Sequence, residues 1–160
     1  MHSTPSLLDG LDALPARWEV QGTLAAPVAA VAELLLVVRE GRVGDDNLLV
    51  LARASAARKG AMTVVAGSAA GTYRAELAGP VEPVAIQVDR DRSRIAVQSW
   101  YAGVHTVTAC PAGTRVTHSV HRVLPHHPGF AAGIAELGLR TRMSRDLRQV
   151  LAVIADRLGC

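Results

Sequence analysis

Two histidines, two tyrosines and an arginine are the residues whose chemistry and placement could serve a functional site in this chain. His105 and His118 fall on consecutive segments, Val104 to Ala109 and Thr114 to Val123, in which apolar and polar residues alternate. A period of two puts every second side chain on one face of a sheet, and on that pattern both imidazoles face inward. An imidazole so placed hydrogen-bonds a ligand carbonyl, or serves as acid and base near neutral pH. The plainer account is that each satisfies a backbone or hydroxyl group of a partly polar core, and the sequence leaves both accounts open. No third metal ligand of suitable spacing accompanies the pair, so no metal site is expected.

Tyr73 and Tyr101 join an apolar ring to a hydroxyl that seeks a partner when buried, and they are two of only five aromatic residues. Ordinary sheet packing and ligand contact are equally good accounts of both. Ser99 shares a predicted face with Ile95, Val97 and Tyr101, and Trp18 shares one with Val20 and Leu24. Near the end of the chain, Met143, Leu147, Leu151, Ile154 and Leu158 step by three or four and fall on one helical face. Extended backward, that stripe reaches Arg140, Leu137 and Ile134, which sets Arg140 among apolar neighbours, either to meet a ligand oxygen or carboxylate or to reach out to water. The candidate ligand-binding set is thus Trp18, Tyr73, Ser99, Tyr101, His105, His118, Arg140, Met143 and Leu147. His105 and His118 are the candidate catalytic residues.

Several other chemistries are disfavoured by context. Ser99 and Ser119 lack a nucleophile elbow, and Gly67, Gly71, Gly79 and Gly113 punctuate turns rather than form a strand–loop–helix phosphate cradle. His126 and His127, between prolines, read as an exposed loop. The formal charge is +3, almost wholly from arginine, with Lys59 the single lysine. The one dense basic run, Arg140, Arg142, Arg145 and Arg148, does not share a narrow face, is interrupted by Asp146 and has no aromatic stacking partner, so a nucleic-acid partner is not expected.

The elements that must position these residues follow from periodicity and punctuation. Residues through Pro15 read as a loose lead-in. Trp18 to Leu24 alternate as a half-buried strand. Val28, Val31, Leu35 and Val38 recur at helical spacing behind Pro27, and a second short helix is expected from Asp46 to Lys59. Six strands follow: Met62 to Ala66, Thr72 to Leu77, Val84 to Val88, Ile95 to Tyr101, Val104 to Ala109 and Thr114 to Val123. Gly103 marks a bend or bulge that leaves open which of Trp100 and Tyr101 faces inward. After Pro125 to Pro128 a long helix runs to about Leu158, with Gly133, Gly138 and Arg140 weakening its first half, where a cavity mouth is expected.

A chain of 160 residues, 49% of them hydrophobic, suits one core and one domain, here residues 16 to 160. Its longest apolar stretch, Leu24 to Ala32, is too short to span a bilayer, and no secretory signal is visible, so a cytoplasmic location without membrane insertion is the expectation. Cys110 and Cys160 are expected as free thiols. The order of elements, with Trp18 to Leu24 running into Ala25-Ala26-Pro27-Val28, then Trp100-Tyr101-Ala102-Gly103, Gly113-Thr114-Arg115-Val116-Thr117 and the terminal helix, resembles the SRPBCC or START-like superfamily. That resemblance implies an α+β helix-grip fold in which a seven-stranded curved antiparallel sheet wraps one long C-terminal helix. It implies binding of a small hydrophobic or amphipathic ligand, a lipid or aromatic metabolite, in an internal cavity, without a cofactor. The alternative it implies is a polyketide cyclase or dehydratase that uses cavity histidines and tyrosines. A homodimer is compatible with either.

Overall fold

A computed structural model describes residues 6–49, 61–79, 82–99, 101–123 and 130–160. The chain forms α1 (Leu7–Asp12), β1 (Trp18–Leu24), α2 (Val28–Leu35), β2 (Gly41–Arg42), β3 (Met62–Ala66), β4 (Thr72–Leu77), β5 (Val84–Asp89), β6 (Arg94–Gln98), β7 (Tyr101–Cys110), β8 (Gly113–Val123) and the 29-residue helix α3 (Phe130–Leu158). All neighbouring strands are antiparallel, in the order β1-β8-β7-β6-β5-β4-β3-β2.

The sheet therefore has eight strands, not the expected seven. The extra one, Gly41–Arg42, pairs with Thr63 and Val64 and is too short for any alternation to announce it. Pro27 caps α2 and helical geometry gives way at Leu36, sooner than the apolar run to Val38 suggests. The second short helix starts later than the expected Asp46: Asp46 is in a turn, Asn47 is not helical, Leu48 and Leu49 are helical, and the rest, from residue 50 on, lies outside the described residues.

Helix α3 lies across one face of the sheet. Its Leu139, Met143, Leu147, Val150, Leu151 and Ile154 are buried in one core with Val31 and Leu35 of α2 and inward residues of the sheet, among them Val20, Val64, Ile86, Val97, Val107, Val116 and Val120. Gly22 of β1 lets the helix come close, since a Cβ there would lie 2.2 Å from Leu151 Cδ1. Asn47, 2% exposed, steadies the segment leading to Leu48 and Leu49. Its Oδ1 accepts from the Arg39 N–H at 2.7 Å, and its Nδ2 donates to the Arg39 carbonyl at 3.3 Å.

Within the lead-in expected to be loose, Leu7–Asp12 instead form a helix on the opposite face of the sheet. Ser6 caps α1 by accepting from the Asp9 N–H, and its hydroxyl donates to the Asp9 carboxylate at 2.7 Å. Leu8 and Leu11 are buried against Ala96, Ala102 and Val104, each contributing roughly 1.5–3 kcal/mol by burial. Two further contacts fix the helix. The Leu8 N–H donates to Gln87 Oε1 at 2.9 Å, and the Arg94 guanidinium grips both oxygens of Asp12.

That hydrogen-bonded grip, with the charge attraction that accompanies it, holds the Asp12 carboxyl below the usual carboxylate range and raises Arg94. A carboxyl lowered by folding stabilises the fold above its unfolded value, and the contribution disappears as pH falls through the folded value. Asp12→Asn is expected to remove the part of the acid limb lying below about pH 4. Because the Asp12 side chain is 40% exposed, screening keeps this to at most about 1 kcal/mol. Melting temperature followed against pH checks it, and parallel acid limbs for parent and variant would contradict it.

Candidate binding site under the long helix

Strands β7 and β8 pair so that His105 stands directly opposite His118. Both side chains leave the sheet toward α3, both residues are 4% exposed, and their rings stack with centroids 3.8 Å apart and planes 23° from parallel. Two buried imidazoles at that separation repel if both are charged.

The stack depends on the residue two positions before His105. Gly103 is on the same face, and a Cβ there would come within 2.7 Å of His118 Nε2 and 3.2 Å of its Cδ2. The missing side chain is the space in which the His118 ring lies. At this point the pairing with β8 shifts register between Ala102 and Gly103, so the bulge expected at Gly103 is present. The extra residue belongs to β8 and is His121, whose Nδ1 meets the Leu14 carbonyl at 2.9 Å.

Above the two rings is a cavity of about 20 Å³ lined by Tyr101, His105 and His118 of the sheet, Met143, Asp146, Leu147 and Val150 of α3, and Leu49. A phenol, two imidazoles and a carboxylate thus converge where the rest of the lining, among the described residues, is aliphatic. Among the described residues no lysine or arginine lines it. Asp146 occupies its rim with a side chain 24% exposed, and on the solvent side it faces Arg142 Nε at 3.7 Å and Arg145 Nε at 4.0 Å.

Of the residues expected to form the site, Tyr101, His105, His118, Met143 and Leu147 come together here. The face of Tyr101 is settled inward, at 8% exposure, whereas Trp100 lies outside the described residues. Trp18 stands one layer away and donates its indole N–H to Met143 Sδ at 3.4 Å, which positions a lining residue. Tyr73 is half-buried against the same core from β4 but does not line the cavity.

Ser99 is in the β6–β7 turn, its N–H donating to the Tyr101 carbonyl at 2.9 Å, because β6 ends at Gln98, earlier than the alternation suggested. Arg140 is exposed and is not among the described residues that line the cavity. The buried stripe runs back from Met143 by four to Leu139, not by three to Arg140, and Leu137 is 73% exposed.

Three lining residues were not singled out from sequence. Asp146 and Val150 stand three and seven positions after Met143, so helical spacing carried the signal. Leu49 offered only its apolarity. The arginine run is partly engaged within its own helix, through the Asp146 contacts and Arg148 Nε donating to the Ser144 carbonyl at 3.2 Å. Among the described residues there is no group of three potential metal ligands, Cys110 and Cys160 are free thiols, and no helix is long and apolar enough to cross a membrane.

No family model matches the sequence, and no curated protein is a significant match to it. Solved structures do match its fold. The Zhui aromatase/cyclase from Streptomyces sp. R1128 superposes with a TM-score of 0.51 at 18% identity, over 88% of this chain and 94% of that one. Protein Ms6760 from Mycobacterium smegmatis gives 0.51 at 18% identity, over 87% and 90% of the two chains. Ara h 8.0201 gives 0.51 at 10% identity, over 87% and 97%. The chain shares the helix-grip fold of these structures.

Proposed function

We propose that the protein binds a small, largely apolar molecule between the sheet and α3, and acts as its carrier, sensor or store. One observation carries this reading: Tyr101, His105 and His118, with Asp146 at the rim, converge on a gap that is otherwise aliphatic among the described residues. Binding pockets combine apolar walls with a few directed polar groups in this way. The space of about 20 Å³ accommodates the polar end of a ligand. Its apolar part enters by displacing Met143, Leu147 and Leu49, of which Met143 is the most adaptable. Each Å² of apolar surface so buried contributes about 25 cal/mol, less the cost of repacking those side chains.

Native mass spectrometry of freshly purified protein, followed by solvent extraction, tests this reading. The expected result is a noncovalent adduct of one ligand per chain that is lost on denaturation. Protein that carries no adduct, and whose melting temperature no hydrophobic probe raises, would sink the proposal.

A second reading, a polyketide cyclase or dehydratase, is favoured by the stacked histidines, which place proton-transfer groups beside a surface able to fold a flexible substrate. His105→Gln and His118→Gln separate the two. Turnover of a poly-β-ketone thioester that is lost while binding persists supports the enzyme, and absence of turnover in the parent removes it.

A further inference from the structure

We infer that Trp18 is a second polar contact for the ligand: as Met143 gives way, the indole N–H passes from the Met143 sulfur to an oxygen acceptor on the ligand. The ligand class is thereby narrowed to molecules with a carbonyl or ether oxygen set apart from the end that meets the histidines. The exchange rests on the binding reading above, because a ligand entering under α3 is what moves Met143.

Helix α3 tracks β1 along its length. Trp18 meets Met143 and Gly22 faces Leu151, contacts separated by about 13 Å of strand and about 12 Å of helix. At Gly22 the absent Cβ lets the helix close on the sheet, whereas at Trp18 a large indole stands between the two. The helix is pinned at Leu151 and propped at Met143.

Met143 is at once a wall of the cavity and the acceptor for Trp18. It is 2% exposed, lines the gap and takes the indole N–H at 3.4 Å. A thioether is a weak acceptor on an unbranched, adaptable chain, so it holds this donor loosely and moves readily. An indole N–H can only donate, and a half-buried one that loses its acceptor opposes whatever displaced it. An oxygen on the ligand removes that penalty and replaces a weak acceptor by a stronger one. The placement suits a single molecule. Trp18 pairs with Val120 and His118 with Val20, so Trp18 and His118 are diagonal neighbours on one face, about 7–8 Å apart. A bicyclic aromatic body with an oxygen at each end reaches both.

The probes that test this are 6-acetyl-2-naphthol and 6-isopropyl-2-naphthol, closely matched in shape, of which the first alone carries the additional oxygen acceptor. In calorimetric titration the ratio of acetyl to isopropyl affinity is expected to fall about fivefold in Trp18→Phe, which removes the N–H and keeps an aromatic ring. A second measurement uses the parent protein and does not depend on that variant folding. The Trp18 indole proton, assigned by its contact with the Met143 methyl group in the free protein, is expected to move downfield with the acetyl compound and not with the isopropyl one. A ratio unchanged by Trp18→Phe, or the same proton shift with both compounds, overturns the exchange while leaving the binding reading intact. If neither compound binds, the binding reading itself fails and the inference falls with it.

Discussion

Gly103→Ala is expected to weaken binding of 2-naphthol at least about tenfold, a loss of roughly 1.4 kcal/mol, while leaving the protein folded. The new methyl would come 2.7 Å from His118 Nε2, closer than real Cβ atoms approach, and 3.0 Å from the Ser119 carbonyl oxygen. The backbone at Ser119 yields only by tenths of an ångström, so the imidazole has to swing away from its 3.8 Å stack on His105. The direction open to it is toward α3, where the cavity of about 20 Å³ is the available space. The ring then fills the space proposed for the polar end of the ligand. Overpacking of this kind costs about 1–3 kcal/mol of stability, within the tolerance of an ordinary domain. Titration and thermal melting read the two effects separately, and unchanged affinity would show that the space beside His118 is not where the ligand ends.

The largest loss of stability is expected at Gly113, where β8 begins against the end of β1. Its φ is +121°, a conformation that side-chain-bearing residues rarely adopt, and a Cβ would lie 2.5 Å from the Leu24 carbonyl oxygen and 3.0 Å from Ala26 N. Every atom in the way is backbone. The neighbouring Thr114, 0% exposed, fastens the same crossing by donating its hydroxyl to the Ala26 carbonyl at 2.6 Å. Neither strand can retreat without breaking the register that places His118 opposite His105. Gly113→Ala should therefore lose about 3 kcal/mol or more, from conformational strain added to overpacking.

Gly22→Ala makes a useful contrast, since its Cβ would meet Leu151 Cδ1, the end of a side chain that can rotate aside. Denaturant midpoints at constant slope should rank Gly113→Ala well below Gly22→Ala. The reverse order would put the β1–β8 crossing in error.

Much of this architecture was readable in the sequence because its strands have one buried face, and alternation then fixes which side chains point inward. That argument placed His105, His118 and Tyr101 correctly, but it could not show that the two histidines oppose each other, because register depends on the turn at Pro111 to Gly113 and on the bulge at His121. Arg140 was misplaced for a different reason. A helix of 3.6 residues per turn permits a step of three or four at each turn, and only packing selects Leu139 over Arg140.

Asp146 was read by its charge as a break in the arginine run, whereas its position three after Met143 and one before Leu147 placed it at the edge of the buried stripe. Helix α1 left a signal in Ser6 and Asp9, a capping pair that brackets Leu7 and Leu8, but six residues containing Gly10 have little intrinsic tendency to be helical. Its stability comes from Leu8 and Leu11 against the sheet and from Arg94, partners more than seventy residues away.

The central claim is that ligand binds in the gap between the stacked histidines and α3, and intermolecular nuclear Overhauser effects from bound 2-naphthol test it most directly. The account predicts contacts from the probe to the Met143 methyl group, the Leu147 methyls and the His118 ring. Contacts confined to Ala152 and Val153, which line an outer groove beside Leu48, would contradict it.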